Sequence, residues 1–256
     1  MALIQDLPPT RYPTAHDVRS AGGARALLEQ RHGLFAGERE AQAAARLEEW
    51  RGRGIAALPY NRHPPHLSRV ADRPALIFIS GELADDDGVA VIGTRRPTRQ
   101  GLESAEMLTA ALVQAGITVV SGLAAGIDTV AHRTALQQGG RTVAVLGNGH
   151  DHSYPPANSR LQEAVHVTVS QFPPAQPPTR ETFPLRNAVM SALSAATVIV
   201  EAGERSGARI QARHALAQGR PLLLFVPLLR QAWARTLASK AGVRVITNGQ
   251  ELIDAL

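Results

Sequence analysis

Between residues 89 and 227 the sequence alternates two patterns, and that alternation constrains the fold more than any other feature. Six short aliphatic runs carry few polar residues on either face: VAVIG (89–93), ITVVSG (117–122), TVAVLG (142–147), VHVTVS (165–170), ATVIVEA (196–202) and PLLLFVP (221–227). Helix-patterned segments separate most of them, notably 100–115, the stretch ending near Gln138, and SGARIQARHALAQG (206–219). Strands that are apolar throughout are buried on both faces, so these runs predict a parallel sheet with helices on each side. The expected fold class is α/β, a doubly wound, mainly parallel sheet.

The region upstream reads differently. His16 to Arg31 and Glu38 to Trp50 carry Ala, Leu and charges at helical spacing, joined by HGLFAG (32–37). Prolines at 59, 64, 65 and 74 then break the pattern before ALIFIS (75–80), a predicted strand. The acidic stretch GELADDDG, with Glu82, Asp85, Asp86 and Asp87, reads as a solvated loop between the two regions. We expect a small N-terminal helical region over 1–54 and a larger domain over 55–256.

Composition removes several classes of function. With no cysteine, disulfides, thiolate zinc sites and cysteine nucleophiles are excluded. The longest apolar run, Leu222 to Leu229, falls far short of the roughly 20 residues that span a bilayer. The N-terminus MALIQDLPPTRYP lacks the pattern of a signal peptide. The expectation is a cytoplasmic protein without membrane contact. Of the 27 basic residues 26 are Arg, and the formal charge is +5. GC-rich coding explains the count in so Ala-rich a chain, yet guanidinium also suits phosphate through its planar fork of donors. Charge alone permits an anionic partner; the placement of the Arg residues must identify one.

Ligands of open parallel sheets bind beyond the carboxyl ends of the strands. Gly93, Thr94, Arg95 and Arg96 follow the first parallel strand, where a tight turn, a hydroxyl and two Arg suit a phosphate. Ser121, Gly122, Leu123, Ala124 and Gly126 follow the second, with small residues that leave backbone amides open as an anion nest. Asp128 is expected to orient that loop, and His132 to be structural. Gly147-Asn148-Gly149 follows the third strand without the third glycine of a dinucleotide fingerprint. The adjacent His150, Asp151 and His152 are read as polar loop, with no metal site, and Tyr154 as a stacking surface. Glu201 to Gly207 follows the fifth strand, with Ser206 a natural N-cap and Arg209 opposing the dipole of the helix it begins. FPLRN (183–187) adds Arg186 and Asn187. No nucleophile elbow, zinc-protease helix or P-loop occurs, so no catalytic residue and no cofactor are expected.

These loops together resemble the DprA/Smf family, the DNA-processing proteins of bacterial natural transformation. The resemblance is carried by VIGTRRPTRQG (91–101), VVSGLAAGIDTVAH (119–132), TVAVLGNGHDHSYPPAN (142–158), FPLRN (183–187), VIVEAGERSG (198–207) and ALAQGRPLLLFVP (215–227). Residues 55–83 are similar to the segment preceding the family's core, and the N-terminal helices stand where the family has a SAM-like domain. The resemblance implies an extended Rossmann-like fold that binds single-stranded DNA, loads a RecA-type recombinase and forms a homodimer through its C-terminal side. It implies phosphate contacts at Gly93, Thr94, Arg95, the Ser121–Gly126 loop, Arg186, Asn187, Ser206 and Gly207. Arg96 and Arg209 join them from their positions beside these loops.

The chain departs from the family pattern at several points. Ala125 and Ala188 replace usual Arg residues, Ala208 and Gln211 replace hydroxyl positions, and Leu228 opens an altered segment over 228–242. No winged-helix domain is expected after Leu256. Losing two Arg predicts weaker phosphate binding. It also motivates a second reading, a Rossmann-like binder of a nucleotide or nucleotide-derived signal. A third, glycosidic cleavage, would require Asp128 or Glu201 as general base.

Overall fold

The structure is a computed structural model. It describes all residues except 5, 6, 33–35 and 85, so Asp85 and the centre of HGLFAG lie outside the described residues. Helices α1 (Ala15–Ser20), α2 (Ala24–His32) and α3 (Ala36–Gly52) come first, then strand β1 (Ile55–Pro59), helix α4 (Pro65–Ser68) and strand β2 (Leu76–Ser80). The helix expected from His16 to Arg31 is broken in two. Gly22 and Gly23 adopt φ of +84° and +126°, which stops α1, and Thr14 and Asp17 close a capping box at its start. Trp50 packs edge-on against Phe78, with ring centroids 5.3 Å apart, and so fixes α3 to the sheet.

The alternating region begins with β3 (Val89–Ile92), α5 (Arg99–Gln114), β4 (Val119–Ser121) and α6 (Ile127–Gln137). It continues through β5 (Thr142–Leu146), α7 (Ser159–Ala164), β6 (Val167–Ser170), α8 (Thr182–Leu193), β7 (Ala196–Ile199), α9 (Ala208–Ala217) and β8 (Leu222–Phe225). Helix α10 (Ala232–Ala238), strand β9 (Val243–Ile246) and helix α11 (Gly249–Asp254) close the chain. The nine strands form one sheet in the order β1-β2-β6-β5-β4-β3-β7-β8-β9. Every pairing from β6 to β9 is parallel, while β1–β2 and β2–β6 are antiparallel. The expected α/β, mainly parallel sheet is therefore present, with an antiparallel flank.

Strand residues alternate between two cores, as a period of two requires. Val89, Val91 and Val119 meet Leu108 and Leu112 of α5, Ile127 of α6 and Leu252 of α11. Ala90, Ile92 and Val120 share the other face with Val189 and Met190 of α8, Ala212 of α9 and Trp233 of α10. The chain runs outward from β3 to β6, then returns to place β7 against the opposite side of β3. The loops after β3 and β7 therefore diverge and open a crevice at the carboxyl ends, where parallel sheets hold ligands.

Candidate functional site

Steric demands on glycine shape this crevice. A Cβ on Gly93 would sit 2.5 Å from Cγ1 of Ile127 and 2.8 Å from the carbonyl of Glu201, so only glycine lets the β3 loop pass between α6 and the β7 loop. Thr94 N–H donates to the Glu201 carbonyl (2.6 Å), and its own carbonyl accepts from Ile127 N–H (3.2 Å). Gly126, at φ +84°, would place a Cβ 2.4 Å from that same Thr94 carbonyl. Three loops are thus tied at one point, and Arg95 and Arg96 turn outward from it, both exposed. The Arg95 guanidinium lies 5.2 Å from the Phe183 ring centroid, and the Tyr154 ring packs at a tilt against Phe183 with centroids 5.2 Å apart. Tyr154 is among the exposed large apolar side chains, as a stacking surface requires.

The Ser121–Gly126 loop is only partly the nest its composition predicts. Ser121 is fully buried and donates its hydroxyl to the Val91 carbonyl (2.6 Å). Gly122 N–H donates to the Asp128 carboxylate (3.1 Å), and buried Leu123 is held at φ +56° with its carbonyl accepting from Asn158 Nδ2 (2.9 Å). These three residues are buried, while Ala124, Ala125 and Gly126 are the part of the loop that reaches solvent. Asp128 does orient the loop. Burial pushes its carboxyl up, opposed by the Arg186 charge and the amides of Ala124 and Gly122. His132, on α6, is fully buried, its Nδ1 2.7 Å from the Thr142 hydroxyl.

Arg186 is bound into the fold at the base of the cleft. It is 4% exposed, and its Nη1 donates to the carbonyls of Gly122 (2.7 Å) and Val145 (2.6 Å) while Nε donates to Asn187 Oδ1 (3.1 Å). A Cβ on Gly122 would lie 1.9 Å from that Nη1, so the glycine makes room for the guanidinium. Arg186 is a clamp across the ends of β4 and β5, and its charge lies in the floor of the cleft. Asn187 is likewise buried. Ser206 accepts from Ala208 N–H (3.2 Å), although Gly207 holds the position directly before α9. Arg209 leaves the cleft: it pairs with Glu204 (3.3 Å) and sits 5.5 Å from the Trp233 ring centroid.

What remains is a cleft of about 720 Å³ rimmed by Arg95, Arg96, Arg180 and Arg205, with Arg186 below. All four rim residues are exposed, and none forms an ion pair among the described residues. The one carboxylate lining the cleft among the described residues is the buried Asp128. Sequence reasoning does not single out Arg180 or Arg205. Arg180 ends a proline-rich stretch whose path no periodicity reveals, whereas Arg205 stands inside the Glu201–Gly207 loop and was within reach. Gly203 and Gly207 line the same cleft, yet a Cβ on either would meet nothing within 4 Å. The fold does not require these two glycines; bare backbone beside a cleft suits close approach of a ligand.

Neither proposed general base is free. The Glu201 carboxylate accepts from Thr98 N–H and Oγ1 (both 3.0 Å), supporting the start of α5, and Asp128 serves its loop. His150 Nε2 lies 3.3 Å from the Thr168 carbonyl, Asp151 pairs with Arg53, and His152 Nε2 lies 3.1 Å from the Ala175 carbonyl. No cluster of three His, Asp or Glu side chains arranged for a metal occurs among the described residues. No helix among them is long and apolar enough to cross a membrane. Of the two positions lacking a usual Arg, Ala125 is exposed on the loop tip. Ala188 instead lines a groove on another side of α8, with Tyr12 and Pro13.

A family model for DNA recombination-mediator protein A matches residues 55–256. The chain is 35% identical over 198 residues to the DNA processing protein DprA of Streptococcus pneumoniae, covering 75% of this chain and 70% of that protein. It is also 35% identical over 182 residues to DprA of Bacillus subtilis, covering 68% of this chain and 61% of that one. Among solved structures, S. pneumoniae DprA superposes with a TM-score of 0.77 at 30% identity, over 90% of this chain and 85% of that one. DprA of Helicobacter pylori, described for a unique single-stranded DNA binding mode, gives 0.70 at 28% identity, over 78% and 94%. A molybdenum cofactor binding protein from Rippkaea orientalis shares the fold at 17% identity and a TM-score of 0.50. By sequence and by architecture, this chain belongs to the DNA recombination-mediator protein A (DprA/Smf) family.

Proposed function

We propose that this protein binds single-stranded DNA without turning it over, protects the strand, and presents it to a RecA-type recombinase. The observation that carries this reading is the cleft at the divergence of the β3 and β7 loops. Its four rim guanidiniums have no carboxylate partner among the described residues, and its one lining carboxylate is buried. Unpaired, exposed charges of one sign around a concavity attract phosphates, and they do so without reading sequence. Tyr154, Phe183 and the Arg95 guanidinium give the bases a platform to stack on, which tolerates any sequence. The bare backbone at Gly203 and Gly207 lets the strand approach closely. The recombinase partner, and a homodimer through the C-terminal side of the sheet, rest on family membership.

The test compares a labelled oligo-dT with mononucleotides. Wild-type protein should bind the strand, Arg95→Ala should weaken binding several-fold, and Arg25→Ala, which removes a surface pair with Glu29, should not. Thermal stabilisation by mononucleotides without affinity for the strand would instead favour a nucleotide-derived ligand.

A further inference from the structure

A second cationic cleft, of about 640 Å³, lies between α9 and α10 and meets the first at Arg205 and Ser206. Arg205, Arg209, Arg213 and Lys240 line it, against the single carboxylate of Glu204, which is already engaged by Arg209. Arg213 and Lys240 are exposed and form no ion pair among the described residues. Glu204 satisfies Arg209 through its carboxylate and its carbonyl, and no second carboxylate lines the cleft for Arg213 and Lys240 among the described residues. Arg209 and Arg213 are like charges four residues apart on one helix, which repel, and Arg209 lies in the first turn, where it opposes the helix dipole. Trp233, a buried residue of α10, places its ring beside the Arg209 guanidinium. A ring that supports one member of a repelling set suits a ligand that supplies the missing negative charge.

We infer that a strand held in the main cleft continues over Arg205 and Ser206 into this second cleft, where Arg209, Arg213 and Lys240 take further phosphates. The inference presupposes the single-strand reading of the main cleft. Continuity of the two clefts favours a polymer over separate small anions, and the residues shared at their junction favour the same polymer over a second macromolecule.

The test uses dT strands of about 4 and about 16 nucleotides, lengths that bracket the site size of a single binding domain. For the long strand, the variant Arg213→Ala/Lys240→Ala should lower the slope of log affinity against log salt by about 1.4, at roughly 0.7 per lost phosphate contact. Its binding of the short strand should match wild type, which also reports that the variant is folded. The long strand should change tryptophan emission and the short one should not, and Trp233→Phe should abolish the change, leaving Trp50 as the silent second tryptophan. If the long strand binds the double variant with the wild-type slope while Arg95→Ala still weakens it, the second cleft serves another anion, such as an acidic protein segment. The extension is then wrong and the main site stands. If wild-type protein binds neither strand, both fall together.

Discussion

Two glycines in the crevice loops look alike in sequence and answer to different forces. Gly126 is imposed by the fold: its φ is +84°, and a Cβ there would meet the Thr94 carbonyl at 2.4 Å, which leaves no room for a side chain. Gly207 sits at φ −60° with open space beside it. Gly126→Ala should therefore destabilise the protein by at least about 1–3 kcal/mol, the cost of a non-glycine residue in that backbone region. Gly207→Ala should leave stability unchanged or raise it by about 0.4–1 kcal/mol, while weakening affinity for oligonucleotide. Denaturant melts and anisotropy on both variants check the contrast; a Gly207→Ala protein with full affinity would remove that glycine from the interface. The buried histidines make a separate forecast. Thr142 Oγ1 donates to the Val119 carbonyl (2.9 Å), so it accepts from His132 Nδ1–H, and His132 Nε2 is left buried without a partner. Burial depresses His132 to about 3 and His63 to about 4 from the usual 6.5. The unfolded chain takes up these protons below pH 6.5 and the folded chain does not. Their stability contribution is thus complete above 6.5 and is lost as pH falls toward 4, at about 1.4 kcal/mol per pH unit for each histidine. Unfolding free energy measured at pH 7 and pH 5 should differ by about 4 kcal/mol from these two groups. His132→Gln should show a shallower dependence, and an unchanged one would locate the titration elsewhere.

The strands of the parallel region were legible because each is buried on both faces, which leaves a continuous apolar run. β1 and β9 were not. β1 is an antiparallel edge strand closed by Pro59, and β9 is an edge strand whose central residues Arg244 and Val245 are exposed. Helices α10 and α11 are too short to show a period. In the loops, sequence named the segments that form the crevice but not which residues point inward. Ser121 and Arg186 are committed to carbonyls 30 and 64 residues away, and no local pattern encodes that; the Gly122–Asp128 bond spans six residues and agrees with the loop-orienting role expected of Asp128. The same limit applies to the two missing Arg residues. Position 125 projects from the loop after β4, beside the cleft, whereas position 188 faces the groove beside Tyr12. Ala125→Arg should accordingly steepen the salt dependence of strand binding by about 0.7 units. Ala188→Arg should leave it unchanged. Equal effects at the two positions would contradict this assignment of faces.

The formal charge of +5 is modest, and the abundance of Arg over Lys has a coding explanation. What matters for the molecule as a whole is where the fold gathers unpaired Arg residues. Exposed Arg25, Arg51, Arg53 and Arg99 each have a carboxylate beside them, and others, such as Arg46, Arg133 and Arg160, stand singly without one among the described residues; Arg95, Arg96, Arg180 and Arg205 also have none and are gathered around one cleft. Sheet topology places that unpaired set where the β3 and β7 loops part, so fold and charge converge on one place. The most direct measurement is the slope of log affinity for oligo-dT against log salt, for wild type and for the triple variant Arg95→Ala/Arg180→Ala/Arg205→Ala. With three contacts removed at roughly 0.7 each, the variant's slope should be shallower by about 2 units. An equal slope in the two proteins, or affinity independent of salt, would contradict a single strand held by its phosphates in this cleft.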